Sequence, residues 1–94
     1  MSQIRKKSKI AIVILNWNGY EDTSECIISL QKITYDNYQI VVVDNGSIQD
    51  DYLLLKKNFP EIEVIRSESN LGFTGGNNLG IEHAMRMNTD YFFL

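Results

Sequence analysis

The chain has 94 residues, 44% of them hydrophobic and 22% charged, with a formal charge of -3. That balance belongs to a soluble globular domain; it excludes a disordered or fibrous chain and a basic nucleic-acid module, so no nucleic acid partner is expected. A chain this long buries only about 60–65% of the surface its unfolded form exposes, which leaves one core, in one domain or part of one.

Residues 1–8 form a basic tail: Arg5, Lys6 and Lys7, with Lys9 just after, are four of the nine basic residues. A solvated arm is the usual fate of such a run, although an anionic membrane surface also suits it. The apolar run that follows is too short for a signal peptide and has no small-residue cleavage site. No segment approaches the roughly 18 apolar residues of a membrane span. The expectation is a soluble, cytoplasmic chain, with the inner face of a membrane as a place for peripheral contact.

Ile10-Ala11-Ile12-Val13-Ile14-Leu15 is β-branched, unalternated and too short for a helix, so it reads as a strand covered on both faces. Cys26, Leu30 and Ile33 recur at i, i+4 and i+7, with Glu21, Asp22 and Glu25 toward the start, which predicts an amphipathic helix over 20–33. Tyr35-Asp36-Asn37-Tyr38 supplies a turn before a second strand, Ile40-Val41-Val42-Val43. Asp50 to Asn58, closed by Pro60, reads as a short helix, and Ile62-Glu63-Val64-Ile65 as a third strand. A polar, glycine-rich loop from Ser67 to Asn78 precedes a third helix, placed by Ile81, Ala84 and Met85 and running to about Met87. Tyr91-Phe92-Phe93-Leu94 begins a fourth strand. Alternating strands and helices predict an α/β fold: three layers, α/β/α, around a mostly parallel, Rossmann-like sheet.

In such a sheet ligands gather at the carboxyl ends of the strands. Asn16-Trp17-Asn18-Gly19 puts an aromatic ring there, to stack on a base or pack over the sheet edge. Asp44, followed by Asn45-Gly46-Ser47, can accept hydrogen bonds from a ribose or base N–H, or cap the next helix together with Ser47. The stretch Asn70 to Gly80 carries four of the six glycines ahead of a helix, which suits either a diphosphate cradle or a flexible lid. It has neither a GxGxxG fingerprint nor a GxxxxGK[ST] loop. His83 reads as a solvated helix residue without a catalytic partner, and Cys26 as a core thiol. The lone Cys26 forms no internal disulfide, and with His83 it is too small a set for structural zinc.

Ile12 to Gly19, Val41 to Ser47 and Asn70 to Asn78, taken in order and spacing, resemble the amino-terminal half of family 2 glycosyltransferases of the GT-A fold, most of all the rhamnosyltransferase-like branch. The resemblance covers residues 9–94. It implies a nucleotide-diphosphate sugar lying across the strand ends, with Leu15, Asn16, Trp17, Asp44, Asn45, Gly72, Gly75 and Asn77 as nucleotide-binding positions. Asn77 falls where many relatives carry an Arg, and Trp17 where they carry a Tyr. It further implies an inverting transfer in polysaccharide biosynthesis, onto a glycan or lipid-linked acceptor. The Asp-x-Asp-like motif that holds a divalent metal, Mn or Mg, and the later catalytic base are both expected beyond Leu94. No catalytic or metal residue and no cofactor is therefore expected within this fragment, which alone should be inactive.

The expected strand order is 3-2-1-4, with self-association through the open edge at the fourth strand. The rival reading is a non-catalytic α/β nucleotide-binding or receiver-like module. A receiver needs a carboxylate pair after the first strand, where Leu15-Asn16-Trp17-Asn18 stands. A dinucleotide fold needs its glycine fingerprint there, and only Gly19 is present.

Overall fold

Two runs of β-branched residues make the centre of the sheet, because such side chains pack well on a pleated surface and lose little freedom there. The computed structural model describes residues 9–33, 36–87 and 89–93; the basic tail, Tyr35 and Leu94 lie outside them. The strands are β1 (Ile10–Asn16), β2 (Tyr38–Asn45), β3 (Glu63–Ser67) and β4 (Tyr91–Phe93), and the helices are α1 (Tyr20–Leu30), α2 (Asp51–Asn58) and α3 (Gly72–Met85). Among the described residues the sheet is wholly parallel, in the order β3-β2-β1-β4. The expected α/β class and strand order hold.

The register Ile12↔Ile40, Ile14↔Val42 and Asn16↔Asp44 brings the carboxyl ends of β1 and β2 level with one another. Alternate residues of β2 then serve opposite layers. Ile40 and Val42 join Ile27 of α1, Leu55 of α2, Phe59 and Val64 in one cluster. Val41 turns the other way and meets Ala11 and Ala84 of α3. This is why neither run alternates: both faces are covered. A Cβ on Gly80 would collide with Val13 Cγ1 and reach 3.0 Å from Val43 Cγ2, so α3 lies closer to the sheet than any larger residue allows.

Several element boundaries differ from the sequence reading, and the larger differences have physical causes. α1 stops at Leu30, because the N–H groups of Lys32 and Ile33 bond back to Ser29 and Leu30, three residues earlier, and tighten the chain out of the α-helix. β3 runs on to Ser67, paired with Asn45. The glycine-rich stretch is helical from Gly72 onward, and α3 ends at Met85. Glycine costs about 1 kcal/mol per residue in a helix, and here the close approach to β1 and β2 overrides that preference.

The first helix is also rotated from its expected phase. Its buried residues are Thr23 and Ile27, with Tyr20 and Leu30 half-buried, so Cys26 is exposed and not part of the core. His83 is half-buried too, and its Nε2 lies 3.1 Å from Glu63 Oε2, a carboxylate partner that the sequence reading did not give it.

Leu55 is fully buried while Leu53 of the same helix is 59% exposed. Leu55→Ala is expected to lower stability by about 2–5 kcal/mol, and Leu53→Ala to stay within about 0.5 kcal/mol, both read from urea unfolding. β4 pairs with β1 and with no other strand among the described residues, and its Tyr91 is exposed. Open apolar edges recruit strands from other chains. Sedimentation should show concentration-dependent association on the order of tens of micromolar, and a monomer there would mean that the edge is covered.

Candidate functional site

The level ends of β1 and β2 bury three polar side chains side by side: Asn16 and Asp44, each 1% exposed, and Asn45 at 3%. Buried polar groups are tolerable only when paired. Asn16 Nδ2 lies 3.1 Å from Asp44 Oδ1, 3.2 Å from Ser47 Oγ and 2.9 Å from Asp51 Oδ2. Its Oδ1 accepts the Thr23 hydroxyl at 2.6 Å. Ser47 Oγ donates to Asp44 Oδ1 at 2.5 Å and accepts the N–H of Asn18 at 2.9 Å. Every hydrogen bond to Asp44 from a side chain thus arrives at Oδ1, and Oδ2 has no partner among the described residues.

Asp51 lies in the second helix, as the sequence reading has it, at its first residue. The structure adds that it is buried and shares the Asn16 amide with Asp44. Nor do Asp44 and Ser47 cap α2. The N-cap position is Asp50, and no side chain caps that end.

Asn45 faces away from this cluster and holds the loop ahead of α3. Its Nδ2 donates to Asn70 Oδ1 at 3.3 Å and to the Gly72 carbonyl at 3.1 Å, and its Oδ1 accepts the Leu71 N–H at 2.9 Å. Gly46 makes room for that loop. It has φ +80, and a Cβ there would lie 2.5 Å from the Ser69 carbonyl carbon, so only glycine fits.

The remaining expected positions fall as follows. Leu15 is half-buried, and its Cδ2 would lie 2.8 Å from a Cβ on Gly76. Trp17 is 56% exposed, so its ring is not consumed by packing over the sheet. Gly72 opens α3 and its N–H donates to Asn70 Oδ1 at 2.7 Å. Gly75 and Asn77 lie inside α3 rather than in a loop. Asn77 is 5% exposed, and its Nδ2 has no hydrogen-bond partner among the described residues. The structure therefore places Leu15, Asn16, Asp44 and Asn45 at the strand ends, with Trp17 on the loop beside them, and joins Asn16 and Asp44 in one hydrogen-bonded cluster. Ser47, which the sequence reading paired with Asp44, belongs to it, and so do Asp51 and Thr23, which that reading had not joined to it.

A cleft of about 600 Å³ opens beside this cluster, between the starts of α1 and α2, with Asn18, Tyr20, Glu21, Asp22, Ile48 and Asp51 in its walls. Three carboxylates make it a poor seat for a diphosphate, whatever its size. The face toward α3 suits an anion better, since the first turn of that helix holds no acidic residue. Among the described residues no three His, Cys, Asp or Glu side chains come together as a metal-holding group.

Replacing Asn45 by Ala removes the amide that ties β2 to residues 70–72. Stability is expected to fall by about 1–3 kcal/mol, and hydrogen exchange at the Leu71 amide to speed up more than at the core amides of β2. Equal protection of Leu71 in the variant would show that the loop holds itself.

The family model for glycosyl transferase family 2 matches residues 11–92, from β1 into β4. An uncharacterized glycosyltransferase of Rickettsia bellii is 29% identical over 82 residues, 85% of this chain and 12% of that protein. An uncharacterized glycosyltransferase of Haemophilus influenzae is 29% identical over 77 residues, 77% of this chain and 23% of that protein. The chain thus spans less than a quarter of the length of these curated relatives. A parallel three-layer fold whose strand ends carry the polar cluster, matched from first strand to fourth, places the chain in glycosyl transferase family 2.

Proposed function

We propose that this chain forms the nucleoside side of a donor site, in a protein that moves a sugar from a nucleotide-diphosphate donor onto a glycan or lipid-linked acceptor with inversion at the sugar carbon. The rhamnosyltransferase-like branch is the finer assignment, and polysaccharide biosynthesis its setting. The observation that carries the reading is Asp44. Its carboxylate stands at the end of β2, fixed through Oδ1, with Oδ2 unpartnered and the exposed ring of Trp17 on the neighbouring loop. A carboxylate oxygen accepts a base N–H or a ribose hydroxyl, and an aromatic face stacks on a base.

Divalent metal, Mn or Mg, is the cofactor proposed for the whole protein, where it would neutralise the leaving diphosphate. The described residues do not fit it. Asp44 and Asp51 are both turned onto the Asn16 amide, and hard cations take six or more oxygen ligands. The nucleoside half of the site is what the proposal assigns to this chain. Among the described residues no helix is long and apolar enough to cross a membrane. Peripheral contact through the basic tail remains part of the proposal, at the inner membrane face of a cytoplasmic protein.

The test is calorimetric titration of the protein with UDP, TDP and GDP, with and without manganese. One of the three should bind, manganese should change its affinity by less than about twofold, and Asp44→Asn should weaken it by about tenfold or more. An Asp44→Asn variant that folds normally and binds equally well would remove Asp44 from the site.

A further inference from the structure

Asn16 and Asp44 are equally buried, but both polar atoms of the Asn16 side chain are engaged within the protein, whereas the side-chain hydrogen bonds to Asp44 reach only Oδ1. An amide oxygen turned toward Asp44 and Asp51 would set acceptor against acceptor, so the two carboxylates dictate that Nδ2 faces them. The Thr23 hydroxyl, at 2.6 Å from Oδ1, holds the other end. With two N–H groups, Asn16 serves Asp51 with one and the Asp44–Ser47 pair with the other.

That arrangement decides where the Asp44 carboxylate points. Asp44 Oδ1 is fixed from two sides, by Asn16 and by Ser47, and a planar carboxylate pinned through one oxygen has the other oriented as well. The amide also bonds two acidic groups at once, Asp44 of β2 and Asp51 at the start of α2. Like charges brought to one donor repel, and the shared N–H groups offset that repulsion.

We propose that Asn16 is a positioning residue: it touches no ligand, and it sets the orientation of Asp44 Oδ2 for the donor's nucleoside while bonding Asp51 through the same amide. The inference rests on the donor-site reading of Asp44. Asn16 then acts on the nucleotide only through Asp44, and its effect must vanish once Asp44 no longer binds.

The experiment is a double-mutant cycle read in nucleotide affinity, using whichever of UDP, TDP or GDP binds the protein, with circular dichroism to confirm folding. Asn16→Ala is expected to weaken binding about tenfold, the scale of one charge-assisted hydrogen bond. In the Asp44→Asn background the same substitution should change affinity by less than about twofold. Additive losses would overturn the proposal, because Asn16 would then be touching the nucleotide itself or holding some other part of the site. Should Asn16→Ala fail to fold, Thr23→Val takes its place. It removes only the hydroxyl that orients the amide, and it should weaken binding by about threefold, again only while Asp44 is intact; unchanged affinity would overturn the proposal too. Failure of the donor-site reading looks different: there Asp44→Asn by itself leaves affinity unchanged.

Discussion

The structure turns on one buried amide. Asn16 ends one of the two inner strands where β1 and β2 finish level, and there the chain buries two carboxylates that take their hydrogen bonds from neutral side chains. An unpaired buried charge costs far more than any single hydrophobic contact returns. Asn16 answers both carboxylates with one side chain, and in doing so joins β1 to β2, to the turn at Ser47 and to α2. Through Thr23 it joins α1 as well. Four elements therefore share one hydrogen-bonded point. A network of that kind specifies an arrangement more strongly than it stabilises one, because every alternative packing leaves a charge without a donor.

The opposite face of the sheet is fixed by shape instead. α3 carries no large apolar stripe toward the sheet; its buried residues are Gly76, Asn77, Gly80 and Ala84. Small residues bring its backbone against Val13 and Val43, and dispersion over that contact takes the place of interdigitated side chains. A helix seated this closely has little freedom to slide. Asn45 then sets where it begins, since its amide holds both Leu71 and Gly72. Position along the sheet comes from the glycines, and the starting point from one side chain of β2.

How far the sequence reveals this follows the same division. Unalternated β-branched runs are legible because a strand covered twice has no polar face to show, and the strand order follows from short right-handed crossovers. The glycine-rich stretch is misleading for a physical reason: propensity speaks for a loop, and only the tertiary contact of Gly76 and Gly80 makes it a helix. Thr23 hides the phase of α1, since a polar residue occupies the buried stripe and serves Asn16 from there. Asp51 looks like an ordinary acid in the first turn of a helix. Its pairing with Asn16 spans 35 residues, and that of His83 with Glu63 spans 20, distances at which no local pattern carries a signal. Asn16 itself is visible as a strand-end amide, but whether it faces a ligand or the interior depends on the side chains across from it.

Electrostatics give the proposed donor a direction. Glu21, Asp22 and Asp51 stand on the side of α1 and α2, and two phosphates placed there would meet carboxylates at short range in partly excluded water. On the other side of the strand ends, α3 begins without an acidic residue in its first turn; its Gly72 N–H is taken by Asn70 Oδ1, and its N-cap position, Leu71, has no polar side chain to cap the rest. A helix of 14 residues presents partial positive charge at that end. With the nucleoside proposed at Asp44 and Trp17, charge favours a diphosphate on the side of α3 over one in the acidic cleft beside α1. For a doubly charged leaving group, the sign of the lining residues then outweighs the volume that the cleft offers.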